Sequence, residues 1–267
     1  MEQGDLGLAV GHFTEGLRMV RTLGDPEDEG VRLSNLGSCC SRLGDHTGAR
    51  GHLDAALELA RQTGQRATEA LVLLNIASVA NLQGDAPGAL AYAHAAHDAA
   101  QASAQTDLQA YADLVAGHAE LALGRHEAAA AAYACSHDAL QRLQMRPQQV
   151  LDPVSGLARV ALAQGRLDEA MAHTAPLLDH LAEGGHFDGT EEPLLLPLTA
   201  WRVLHACGDP RALAVLQEAV VQLQAQARQL SDEAARRALL ERVPHHRELL
   251  QAWAVHGARV PGPVTAR

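Results

Sequence analysis

Lysine is absent: all 21 cationic Lys/Arg positions among the 267 residues are Arg. A P-loop needs its Lys on the phosphates and a pyridoxal enzyme needs one for the Schiff base, so both chemistries are excluded. Aromatic residues are scarce at 3%, and isoleucine occurs once, at Ile76, although apolar residues make up 47% of the chain. A core of that composition is Ala and Leu between closely approaching helices, and no alternating Val/Ile run reads as a strand. The expected fold class is all-α. No apolar stretch approaches the ~20 residues a spanning helix needs, and no basic-then-apolar leader opens the chain. The net charge of −11 opposes non-specific nucleic-acid binding, which depends on neutralising phosphates. Neither direct nucleic-acid contact nor a membrane is expected, and the expected location is cytoplasmic. Cys39, Cys40, Cys135 and Cys207 lack C-x-x-C spacing and read as free thiols of a reducing compartment. His94 and His97 stand at i, i+3, but no H-E-x-x-H or Cys/His cluster supplies the converging ligands of a zinc site. G-x-S-x-G and G-x-G-x-x-G are missing too. No catalysis, metal or cofactor is expected.

What is present is a beat. Leu33-Ser34-Asn35-Leu36-Gly37, Cys40, Gly44-Asp45, Ala49, Leu53 and Ala56 return forty residues later as Leu73-Leu74-Asn75-Ile76-Ala77, Gly84-Asp85, Ala89 and Ala96. Gly4, Gly44, Gly84, Gly124, Gly165 and Gly208 stand 40, 40, 40, 41 and 43 residues apart. A fixed period in this range marks a solenoid. Each unit is a helical hairpin: Gly takes the left-handed conformation that ends the first helix, and the chain restarts in the opposite direction. Ala9, Ala49, Ala89, Ala129 and Ala170, five residues past their glycines, let the two helices approach closely, with Phe13 and Leu53 as the large knobs between them.

These residues resemble the tetratricopeptide repeat, in a variant longer than the usual ~34 residues. The resemblance covers nearly the whole chain and implies a right-handed superhelix of hairpins that binds a protein or peptide on its concave side. Gly189-Thr190-Glu191-Glu192-Pro193, Trp201-Arg202-Val203-Leu204 and Gly208 to Ala212 resemble more closely the C-terminal repeats of large bacterial signalling ATPases and transcriptional activators. In order, the expectation is a half repeat at 1–24, beginning on Gly4-Asp5 as in a truncated chain, and then repeats at 26–65, 66–105, 106–147, 148–187 and 188–230. Capping helices follow at 231–258, one N-capped by Ser231 and running from Asp232 to about Arg242, the last starting at Pro244 with His245, Arg247 and Glu248 on its outer face. Residues 259–267 are expected to be a disordered tail, and 183–190, with three glycines, a mobile loop.

Matching the motif puts the first helix of each hairpin on the concave surface, and with it Ser34, Asn35, Ser38 and Arg42, then Asn75, Ser78 and Asn81, then His118, Arg159, Arg202 and His205. Asn offers a donor and an acceptor to an extended peptide backbone, and Arg a fork for a carboxylate or phosphate. Asn35 and Asn75 also sit where an amide ties one hairpin to the next. The missing Lys departs from the relatives that clamp a terminal carboxylate with lysines. The expected function is a partner-binding arm of a bacterial signalling or transcription-regulatory protein. The alternatives are a receptor for a small molecule or peptide signal, and an array that self-associates as a homodimer through its open end.

Overall fold

The computed structural model describes residues 6–257, so the Gly4-Asp5 beat and the tail at 259–267 lie outside the described residues. Among the described residues there are thirteen α-helices and no strand. Helix α1 (Leu6–Leu23) precedes five hairpins: α2 (Pro26–Arg42) with α3 (His46–Gln62), α4 (Arg66–Gln83) with α5 (Ala86–Ala102), α6 (Thr106–Ala122) with α7 (His126–Arg142), α8 (Pro147–Ala163) with α9 (Leu167–Ala182), and α10 (Leu195–Ala206) with α11 (Ala212–Gln229). Helices α12 (Glu233–Glu241) and α13 (Pro244–His256) close the chain. The N-cap of α12 is Asp232, whose carboxylate accepts from the backbone N–H groups of Ala234 and Ala235, and not Ser231. A carboxylate at that end also meets the positive pole of the helix, which a hydroxyl does not.

The Gly-Asp pair explains each sharp reversal. Gly44 and Gly84 both take φ of +79°, ending α2 and α4, and Asp45 and Asp85 then accept from the N–H groups of Gly48 and Gly88 to start the next helix. One left-handed position per repeat is expected from the sequence; the structure has two. A second series runs through the turns between hairpins at Gly24, Gly64, Ala104, Gln144 and Gly184, all with positive φ. It hides from a glycine count because Ala104 (φ 56°) and Gln144 (φ 53°) carry side chains there. A Cβ in the left-handed region costs roughly 1–2 kcal/mol, partly offset by glycine's freedom in the unfolded chain. Ala104 is exposed, so Ala104→Gly is expected to raise stability by ~1 kcal/mol and the melting temperature by ~2–4 °C in calorimetry. No gain in melting temperature would show that the turn is relaxed as it stands.

Between the helices the expected small and large residues interlock. Ala49, Ala89, Ala129 and Ala170 are fully buried, as is Leu53, and Gly37 leaves the space that the Leu53 side chain enters. Tyr133 is fully buried in a slot whose walls are Gly117 of α6 and Gly156 of α8; a Cβ at Gly156 would stand 2.4 Å from its ring.

The array also closes on itself. Leu43, at the α2–α3 turn, belongs to the apolar cluster of Leu198, Leu216, Leu239 and Leu249, and Val10 of α1 packs against the same cluster. A Cβ on Gly44 would lie 2.4 Å from the Ala238 carbonyl oxygen of α12. His46 Nε2 lies 3.4 Å from the Arg242 carbonyl oxygen. The C-terminal pair therefore seats on the turn of the first complete hairpin, and the concave surface becomes a lumen.

Candidate functional site

Helices α4, α6, α8 and α10 present Ser78 and Asn81, His118, Arg159, and Arg202 to one cavity of about 220 Å³. Its other wall is Glu191 and Glu192, from the connection between α9 and α10, together with His245 and Glu248 of α13. A second cavity of about 100 Å³ continues from it, between Ser38 and Arg42 of α2, Asn75 and Ser78 of α4, and Glu191 and Glu192.

The polar groups of the lumen hold one another. His118 Nδ1 lies 2.9 Å from an Arg159 terminal nitrogen and 2.7 Å from the Tyr133 hydroxyl. A guanidinium only donates, so Nδ1 accepts and Nε2 carries the ring proton. Burial, reinforced by the Arg159 charge, holds His118 well below the usual histidine pKa and keeps the ring neutral. His118 Nε2, Arg159 Nε and His245 Nε2 are buried without a hydrogen-bond partner, and all three residues line the larger cavity. Arg202 grips Glu248 in a two-pronged pair, with Nε donating to Oε1 at 2.7 Å and a terminal nitrogen donating to Oε2. Ser78 donates to the Glu191 carboxylate, and the Glu191 N–H donates to Asp152 Oδ2 at 2.9 Å.

Burial pushes the Glu192 carboxyl up to about 8, with the Glu191 carboxylate adding to it, and burial pushes Asp152 up to about 7. His245 falls well below its usual value through burial and then through His246, Arg159 and Arg202. His246, donating from Nδ1 to the Leu239 carbonyl at 2.9 Å, is lowered by burial to about 4. At neutral pH the lumen thus holds neutral imidazoles and a protonated Glu192 beside charged Arg.

Comparison with known proteins places this architecture. Residues 31–102 match the family described as Tetratricopeptide repeat. The helical array is tetratricopeptide-like. A Rap protein complexed with Competence and Sporulation Factor superposes at a TM-score of 0.68 with 15% identity, over 95% of this chain and 72% of that one. BtubC (BKLC) from P. vanneervenii superposes at 0.60 with 19% identity, over 82% of this chain and 91% of that one. No curated protein matches the sequence.

On this tetratricopeptide-like frame the residues picked out by the motif divide into three groups. Ser78, Asn81, His118, Arg159 and Arg202 meet in the larger cavity, and Ser38, Arg42 and Asn75 in the smaller, which Ser78 joins. Ser34, Asn35 and His205 line neither. Ser34 is buried and accepts from Asn75 Nδ2 at 3.1 Å, a tie between successive hairpins. Asn81 makes a similar tie, donating to the Val115 carbonyl at 3.1 Å. His205 lies outside and is exposed, stacked on Trp201 at 5.4 Å and edge-on to His256 of α13 at 4.6 Å.

Two expectations are corrected. Segment 183–190 is irregular but not a free loop: Phe187 is 2% exposed among Leu177, Leu196, Leu151, Val154 and Leu181, and Thr190 is buried. Its apolar side chain and the closing of the ring draw it inward. His245 and Glu248 do not face outward either, since α13 turns them into the lumen; only Arg247 is exposed. Glu191, Glu192, His245 and Glu248 are the charged or titratable lumen residues that the repeat motif misses, because they lie outside it. The one signal available was a Glu-Glu pair between Gly189 and Pro193 in an over-long connection.

Proposed function

We propose that the chain is a protein- or peptide-binding scaffold that takes an extended segment in its lumen and has no catalysis of its own, and that it serves as the partner-recruiting arm of a bacterial signalling protein. The observation that carries this reading is the larger cavity, lined by Arg159 and His118, each of which has a buried donor with no partner. Buried donors without partners cost free energy, and a ligand carbonyl or carboxylate would satisfy them. The likeness of fold to a Rap protein in complex with a factor supports the same reading. Glu192, His118 and His245 are held in neutral forms and Glu248 is paired with Arg202, which suits recognition rather than proton transfer.

Ala122 lines this cavity and is exposed, so Ala122→Trp fills it without disturbing the core. Peptides selected on the wild-type protein from a random display library are expected to bind Ala122→Trp at least ~10-fold more weakly, a loss of about 1.4 kcal/mol, at an unchanged melting temperature. Equal binding would move the site elsewhere.

A further inference from the structure

We propose that the connection between α9 and α10 is a built-in occupant of the lumen, and that the partner is an acidic segment that competes with it. The inference rests on the lumen being the binding site. Up to α11, the other helix connections take two to five residues; this one takes twelve, from Glu183 to Leu194. It does not loop outward. Phe187 pins one end in an apolar socket, Gln148 donates to the Asp188 carbonyl at 3.3 Å, and Glu191 then crosses between Asp152 of α8 and Ser78 of α4. Glu192 follows, its carboxylate 3.4 Å from His245 Nε2. A stretch of turns and bends with two acidic side chains thus already lies where a bound segment would lie, in contact with helices that line the concave surface.

The fit of this occupant is incomplete. Glu191 is held by a hydroxyl and Glu192 faces a ring nitrogen, so neither carboxylate reaches Arg159 Nε or His118 Nε2, which stay unmet. The side chain of Glu192 is only 15% exposed and faces His245 Nε2 at 3.4 Å without a hydrogen bond to it, and burying a polar group without a hydrogen bond is unfavourable. A separate chain carrying a carboxylate one or two residues out of step with Glu191 would meet the Arg159 and His118 donors while releasing Glu192 to water. Acidic side chains are favoured in the competitor because those two donors and Arg42, at the mouth of the smaller cavity, accept nothing.

The test uses a fluorescent peptide with the sequence of residues 186–195 and a copy with both Glu replaced by Gln. Each is titrated by anisotropy into the full chain, into Phe187→Ala and into Ser78→Ala. The first substitution frees the connection at its apolar end; the second releases the Glu191 carboxylate and leaves the core intact, so it reports even if the first destabilises the fold. The acidic peptide is expected to bind Ser78→Ala at least ~10-fold more tightly than wild type, and the Gln copy to lose most of that gain. Equal affinity for wild type and both variants, or no preference for the acidic copy, overturns the proposal. If library-selected peptides still lose binding to Ala122→Trp in that case, the lumen stands as the site and only the competing role of the connection falls.

Discussion

Gly44→Ala is expected to destabilise the protein by ~3 kcal/mol or more in urea unfolding, and Gly84→Ala by only about 1 kcal/mol. The two glycines hold the same place in successive hairpins and the same φ of +79°. Any L side chain meets the same backbone strain at both. They differ in surroundings: nothing lies within 4 Å of a Cβ at position 84, whereas at position 44 it would stand 2.4 Å from the Ala238 oxygen and 2.8 Å from its carbonyl carbon. Those are backbone atoms of α12, so no rotamer relieves the overlap and the whole C-terminal pair must lift away. The difference between the two variants therefore measures the seam that closes the ring. Equal losses would mean that α12 contributes nothing to holding the first hairpin.

The second large effect is on pH. Glu192 at about 8 and Asp152 at about 7 lie above their ordinary values of 4.5 and 3.8. The folded chain keeps protons there that the unfolded chain has already released. Their stabilisation is complete below about pH 4 and is lost as the pH rises through 7 to 8. His118, His245 and His246 act in the other sense: held below 6.5 chiefly by burial, they stabilise fully above that value and less as the pH falls. Below pH 6.5 the histidines oppose the acids; above it the acids act alone. At about 1.4 kcal/mol per pKa unit, unfolding free energy is expected to fall by roughly 2–3 kcal/mol between pH 6.5 and 8. Glu192→Gln, which keeps the shape of the protonated acid, should remove most of that fall. A slope that survives the substitution would assign the titration to another group.

The hairpins are legible in the sequence because their determinants are local. Gly44-Asp45 states a helix end and a helix start in two letters, and Ala49 and Leu53 state the packing that follows within one turn or two. Even the tie between Ser34 and Asn75 is visible as an Asn recurring at the same repeat position, although whether such an amide faces a ligand or a neighbouring helix depends on a rotation that spacing alone does not contain. The seam between Gly44 and Ala238 is different in kind. It arises from the small twist added at every hairpin, summed over nearly two hundred residues, and no short pattern encodes a sum. The inward course of Phe187 to Glu192, and the inward faces of His245 and Glu248, follow from that closure and were hidden with it. Hence the repeat motif locates about half of the lumen, the half contributed by first helices.

The seam has a consequence for how such a chain can change over generations. An open array tolerates the gain or loss of a unit, because each unit touches only its neighbours. Here an extra forty residues would carry Ala238 and Arg242 past Gly44 and His46, and one unit fewer would leave them short of it. Duplication, the process that builds repeat proteins, is thereby closed to this one: its unit number is a fixed property of the ring, and new specificity must come from substitutions facing the lumen.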